Sequence, residues 1–263
     1  MASTRNIKKP AKKSAAKPAV ARMSLDEVMG ALEKAGSEKT KKTYARHGAR
    51  EPMFGVLFGT LKVLLDRIGV DQELALALWK TKNQDARNLA MKIADPAQIR
   101  SADLDRWAKE NSMRICGMYI ASLAAESPHA AAKVRDWLAS SDEGLRATGW
   151  TLIAQLANLD EKAPDDWFAK RLAQIEKTVH SSPSVERGSM NAAVIAIGGR
   201  SAALRKLATA AAKRIGPVVV DHGDTACQTP AAEASIAKMW ERAKKFESPA
   251  AQERARESMR TRC

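Results

Sequence analysis

One recurring pattern limits what this chain can fold into. A helical run ends near a Trp, a short polar turn follows, and the next helical run opens with an Arg. Trp79 precedes Arg87, Trp107 precedes Arg114 and Trp137 precedes Arg146. A fourth instance, without the Trp, runs from Val179 through HSSPSVE to Arg187. The Arg-to-Arg spacings are 27, 32 and 41 residues, the length of one helix–turn–helix pair in an α-solenoid. Unequal spacing predicts degenerate units rather than a regular array. Stacked pairs bury their apolar faces on one another and leave one concave face. An Arg at the start of each second helix can point toward that face, which makes Arg87, Arg114, Arg146 and Arg187 candidate contacts to a polyanion. The competing reading is surface ion pairing, because Asp85, Glu143 and Glu186 lie close in sequence.

Local signals agree with an all-α chain. Ser24 and Glu27 form a capping box, and Gly36 ends the helix they open. Phe58, Leu61, Leu64, Leu65 and Ile68 share a helical face, with Gly69 where a C-terminal cap belongs. Asp71 caps a run to Trp79, and Asp95-Pro96 stops the helix built by ARNLAMKIA. Phe168, Leu172, Ile175 and Val179 form one apolar stripe; Leu145, Leu152, Ile153 and Leu156 form another. Pro128, Pro164 and Pro183 are expected near the first position of new helices. About a dozen helices result from these helix start and stop signals. Val218 to Val220 is the one strand-like run and is too short to make a sheet, and Ala is abundant where β-branched runs are scarce.

Charge is the second constraint. The chain carries 44 Lys and Arg against 30 Asp and Glu, a formal charge of +14. Residues 1–22 hold seven of those cations and no acid. Their Lys, Ala and Pro content leaves almost nothing to bury, so the segment is expected to be a disordered basic tail. Lys8, Lys9, Lys12, Lys13 and Lys17 can then neutralise phosphates and release counterions; a solubilising leader is the alternative. Without the tail, 37 cations still face 30 acids. The tail is expected to precede a helical repeat domain over 23–240 and a basic C-terminal helix or tail over 241–263.

Several function classes drop out. No apolar stretch approaches the roughly 20 residues that span a bilayer, and no apolar core follows the basic N-terminus as in a secretory leader. Cys116, Cys227 and Cys263 are odd in number and far apart, which favours a reducing compartment. The expectation is a cytoplasmic, nucleoid-associated monomer. Asp221, His222, Asp224 and Cys227 crowd one segment, DHGDTACQTP, with no second cluster to complete a metal site. That segment is better explained by a turn at Gly223, a cap at Thr229 and Pro230 in the first helical position. His47-Gly48 is expected to be a turn, Cys116 a buried thiol, and Gly198-Gly199 a helix end, since no P-loop Lys follows. Trp107, Trp137 and Trp167 are expected in packing between repeats. No metal and no small-molecule cofactor are expected.

Longer stretches carry a resemblance. YARHGAREPMFGVLFGTLKVLLDRIG (44–69) and ELALALWKTKNQDARNLAMKIADP (73–96) are similar to the HEAT-like-repeat DNA alkylation-repair proteins, the AlkD-like family. WLASSDEGLRATGW (137–150), VERGSMNAAVIAIGGRS (185–201) and AKRIGPVVVDHGDTACQTPAA (212–232) match in style and order. The resemblance covers about residues 24–240. It implies an α-solenoid of HEAT-like helix pairs whose basic concave face holds duplex DNA. It further implies excision of cationic alkylpurines without base flipping, by a carboxylate beside the sugar and by Trp side chains, where most glycosylases extrude the base. The positions that should carry this chemistry differ here: the family Trp falls on Met113, its acids on Arg114 and Gly117, and a second aromatic near Asn191-Ala192. Asp103, Asp105 and Glu110 lie on the preceding helix, and Arg146 does match. The resemblance therefore implies binding to double-stranded DNA through the phosphate backbone, with alkylpurine excision in question. A scaffold for an acidic protein and a binder of structured RNA are the alternatives from other classes.

Overall fold

The computed structural model describes residues 22–111, 113 and 116–262. Lys8, Lys9, Lys12, Lys13, Lys17 and Arg114 lie outside them, as does the expected basic tail apart from Arg22. Fourteen helices and no strand are present among the described residues. An N-terminal group, α1 (Leu25–Lys34), α2 (Glu38–Arg46) and α3 (Phe58–Ile68), precedes five antiparallel pairs. The pairs are α4 (Gln72–Lys80) with α5 (Gln84–Ile93), α6 (Ser101–Glu110) with α7 (Gly117–Glu126), and α8 (Ala130–Leu138) with α9 (Glu143–Leu159). Then come α10 (Asp165–Thr178) with α11 (Ser184–Gly198) and α12 (Ala202–Ile215) with α13 (Ala232–Arg242), and α14 (Pro249–Arg254) closes the chain.

Second helices of successive pairs pack side by side in the order α5, α7, α9, α11, α13 and form the inner layer; the first helices stand outside them. This is an α-solenoid of HEAT-like pairs. Sequence explains which helices go inside. In α9 the buried positions run nearly all round the helix, through Ala147, Gly149, Trp150, Ala154 and Ala157. Small residues there let neighbours approach: a Cβ on Gly149 would sit 3.1 Å from Leu138, and one on Gly198 would sit 2.7 Å from Ile236 of α13. By contrast α10 buries a single stripe, Phe168, Leu172 and Ile175, each side chain contributing about 1.5–3 kcal/mol.

Local caps follow the sequence closely. Ser24 and Glu27 bond reciprocally, at 3.2 and 2.7 Å. Asp71, Asp142 and Ser201 accept N–H bonds at the starts of α4, α9 and α12. Gly69 and Gly216 take positive φ after α3 and α12. One expectation fails, at Thr229, and two details refine the reading. Helix α2 carries almost no apolar signal, yet Ser37 caps it and Tyr44 Oη donates to the Val56 carbonyl at 2.6 Å. Thr229 caps nothing: its hydroxyl meets His222 Nε2 at 3.0 Å, and α13 starts two residues past Pro230. Pro164 and Pro183 stand at the N-cap, one residue earlier than the first helical position.

Tryptophans tie the repeats together. Trp79 stacks on Trp107 with centroids 4.3 Å apart and planes 8° apart. Trp79 Nε1 donates to Glu110 and Trp137 Nε1 to Asp105, both at 2.7 Å. Beyond α13 the chain turns back across the C-terminal ends of the inner helices. The Ala250 amide donates to the Gly199 carbonyl after α11, and Arg254 donates to the Asn158 carbonyl in α9. Arg260, 4% exposed, pairs with Glu126 of α7 at 3.3 Å and donates to the Lys92 carbonyl of α5. Cationic side chains at helix C-termini satisfy orphan carbonyls and the dipole together, so the segment expected as a basic helix or tail is bound into the body. No described helix is long and apolar enough to cross a membrane.

Candidate nucleic-acid interface

The N-terminal ends of α7, α9 and α11 open on one groove of about 550 Å³. Its floor is small and rich in hydroxyls: Gly144, Ala147, Thr148 and Thr151 from α9, with Gly188 and Ser189 from α11. The α9 positions fall three, four and seven residues after Gly144, so they share a helical face. Thr151 and Ser189 hydroxyls meet at 3.1 Å and join the two helices. Lys109 and Asn111 form one wall, and His47 adds to the lining. The segment from Gly216 to Ala231 forms the far wall, held by three bonds. The Asp221 amide donates to Ser184 Oγ at 2.7 Å, Arg187 Nη1 donates to the Val219 carbonyl at 3.1 Å, and Asn191 Nδ2 donates to the Pro230 carbonyl at 2.9 Å. Helix N-termini present unpaired N–H groups and a positive dipole end, which suits phosphate.

The recurring arginines occupy equivalent places. Each described one reaches back from the first turns of an inner helix to carbonyls at the end of its outer partner or in the turn that follows it. Arg87 Nε points to the Trp79 carbonyl at 3.4 Å, Arg146 Nη1 donates to the Ser140 and Ser141 carbonyls at 2.9 and 2.8 Å, and Arg187 Nε donates to Ser182 at 2.9 Å. The spacing found in sequence is thus a turn-closing device. Two of the three are also neutralised. Arg87 lies 4.8 Å over the Trp79 ring and meets Glu110 at 2.7 Å; burial pulls its pKa below the ordinary value while Glu110 pulls back. Arg146 meets buried Glu186 at 2.6 Å, and that hydrogen bond raises its pKa. Its partner is therefore Glu186 from the next inner helix; Asp85 is engaged by the amides before α3, and Glu143 makes no ion pair among the described residues. Arg187 differs: no carboxylate pairs with it among the described residues.

Positions where excision chemistry was expected hold other things. Met113 is fully buried, its sulfur 3.8 Å from Asn88 Nδ2. Asn191 is buried beneath the Gly216–Ala231 segment. No Trp, Tyr or Phe lines the groove among the described residues. The nearby acids are committed: Asp103 to Arg100 and Arg106, Asp105 to Lys133 and Trp137, Glu110 to Arg87 and Trp79. The acids that do line the groove are Asp142, Glu143 and Asp221, from an N-cap, a first turn and a loop. A sequence signal for two of them existed, because Asp142-Glu143 opens the same helix as Arg146. Asp142 accepts the Leu145 amide and Asp221 accepts that of Gly223, both at 2.8 Å. No group of three His, Cys, Asp or Glu side chains able to hold a metal ion is present among the described residues. Cys116 is fully buried and burial raises its thiol pKa, which removes it as a nucleophile.

Three comparisons with known proteins agree with this architecture. The family model described as DNA alkylation repair enzyme matches residues 28–235. Uncharacterized protein Lmo0209 of Listeria monocytogenes serovar 1/2a is 28% identical over 228 residues, covering 84% of this chain and 97% of that protein. Uncharacterized protein Lin0241 of Listeria innocua serovar 6a is 27% identical over 222 residues, covering 81% and 95%. A solved structure is 32% identical with a TM-score of 0.75, over 84% of this chain and 95% of its own. It is described as a new family of proteins related to the HEAT-like repeat DNA glycosylases with affinity for branched DNA structures.

Proposed function

The chain belongs to the DNA alkylation repair family, and from that premise we propose that it grips duplex and branched DNA through phosphates and excises little or no alkylated base. The observation that carries this is the groove floor. Small hydroxyl-bearing residues and the N-termini of α7 and α11, which no side chain caps, can take a phosphate backbone at close range. No Trp, Tyr or Phe is there among the described residues to stack on a base or a sugar. The affinity for branched DNA described for the 32%-identical structure supports the same reading. Of the four recurring arginines, Arg187 is the strongest phosphate contact, because its charge has no carboxylate partner among the described residues. Arg87 and Arg146 act mainly by fixing the turns, and Arg114 retains its place in the proposal by sequence position. Lys8, Lys9, Lys12, Lys13 and Lys17 would add affinity without sequence preference.

An Arg187→Gln variant should bind all duplexes more weakly, by about tenfold, and its log–log salt slope should fall by about 1. Fluorescence anisotropy with a random-sequence duplex measures both. An unchanged slope would remove Arg187 from the interface.

Glu143 gives a second reading its footing, because it lines the groove and pairs with no cation among the described residues. A carboxylate there could stabilise an oxocarbenium-like sugar. Single-turnover incubation with DNA carrying 7-methylguanine or 3-methyladenine, read for released base, separates the two readings. The expected result is no release above the uncatalysed rate. Robust release, lost in Glu143→Gln, would restore a glycosylase with a relocated acid.

A further inference from the structure

Outer helices α10 and α12 pack directly on each other, whereas a cleft of about 820 Å³ separates α8 from α10. It opens on the outer layer, away from the groove between the inner-helix N-termini. Val134 and Leu138 of α8, Leu156 of α9 and Trp167 of α10 give it an apolar lining. Arg171 of α10 stands in the wall with its guanidinium 4.9 Å over the Trp167 ring.

Arg171 is unusual in this chain. Its Nε–H is buried and has no acceptor, and its Nη1 reaches the uncharged Gln174 at 3.0 Å. No carboxylate pairs with it among the described residues. Burial lowers its pKa and no acid pulls back. Arg200 shows what a completed site looks like: it lies 4.4 Å over Phe168, meets Asp165 at 3.2 Å and donates to three carbonyls. Arg260 also has an unpaired Nε, but Glu126 neutralises it. A half-buried cation with a buried, unpaired N–H and no counter-ion gains from a partner that supplies one.

We propose that the α8–α10 cleft docks an acidic amphipathic helix from a partner protein, its apolar face on Leu138 and Trp167 and a carboxylate on Arg171. Helix-in-groove docking buries apolar positions spaced three and four residues apart, and the gap lies between two outer helices where a third helix completes the layer. Charge selects the partner. The chain's own N-terminal segment has seven cations and no acid over residues 1–22, so Arg171 repels it. A nucleic acid needs a row of cations, whereas the cleft wall offers one cation without a carboxylate, Arg171, beside Arg135 paired with Asp136, the acid Asp160 and largely apolar neighbours.

The test uses the full chain and a designed helical peptide of about 14 residues, with Leu at positions i, i+3, i+4 and i+7 and Glu at its flanks. Its twin carries Gln in place of each Glu. The readout is the Trp167 indole N–H resonance, assigned by Trp167→Phe. The acidic peptide should shift it saturably, and the Gln twin should bind at least about tenfold more weakly, a loss on the scale of one charge-assisted bond. Arg171→Met, which keeps the apolar stem over Trp167, should abolish the preference and leave duplex binding unchanged. Ala131→Glu, at an exposed position on the cleft wall, should weaken the acidic peptide without touching Arg171. No saturable shift, equal shifts from both peptides, or a shift that follows protein concentration in the absence of peptide would overturn the proposal. The last outcome would assign the cleft to a second copy of the chain.

Discussion

Replacing Asp85 with Ala should cost about 4 kcal/mol of stability, from two buried and one half-buried N–H donor losing their acceptor at roughly 1–3 kcal/mol each. Asp85 is fully buried at the start of α5, and its carboxylate accepts the amides of Phe54, Gly55 and Val56 at 2.7, 3.0 and 2.9 Å. Those three residues lead the chain into α3. One side chain therefore fixes the N-terminal group to the first inner helix. Against a total stability of about 5–15 kcal/mol the loss is severe, and the unfolding midpoint should drop by on the order of 10 °C. Asp85→Asn should fall between, because its amide offers one oxygen and turns an NH₂ toward the remaining donors. Thermal unfolding followed by circular dichroism measures the drop, and hydrogen exchange should find protection lost first in residues 54–68. A midpoint within 2 °C of the parent, about the shift that 1 kcal/mol or less would give, would show the loop to be held by packing alone.

Raising salt from about 50 to 200 mM should weaken duplex binding by roughly 10³-fold if about six phosphates are contacted. The plot of log affinity against log salt should be straight. The cause is counterion release by a chain of formal charge +14, so sequence should matter little. Deleting residues 1–22 removes seven cations and no acid, and should flatten the slope for every duplex alike. A four-way junction should follow the same salt law from a tighter starting point. Affinity that ignores salt would contradict a phosphate grip and favour a protein partner in the groove. An unchanged slope after the deletion would make the tail a passive leader.

What could be foreseen divides along a physical line. The helices were legible wherever apolar positions repeat at helical spacing or a side chain caps its own chain nearby. The capping box of Ser24 and Glu27, the stripe on α10 and the stop at Gly69 are interactions within four or five residues, which sequence contains in full. Helix α2 escaped because Thr40 and Tyr44 are its only buried side chains. Its anchor is the bond from Tyr44 to Val56, twelve residues away.

The arginines show the same division at the site. Their spacing gave the repeat, and the repeat is real. Their partners were decided by packing. Arg146 feels the charge of Glu143 three residues away but forms its ion pair with Glu186, forty residues on. The reason is that α9 and α11 lie side by side, and a buried pair between helices is screened less than an exposed pair along one. Tertiary structure likewise set which acids reach the groove and left Arg171 without one. Sequence by itself determined an all-α chain of stacked pairs with a large positive charge, since periodicity, caps and composition are local or summed properties. Which charges cancel, and which stay available to a phosphate or a partner's carboxylate, depends on distances between residues that only the assembled solenoid brings together.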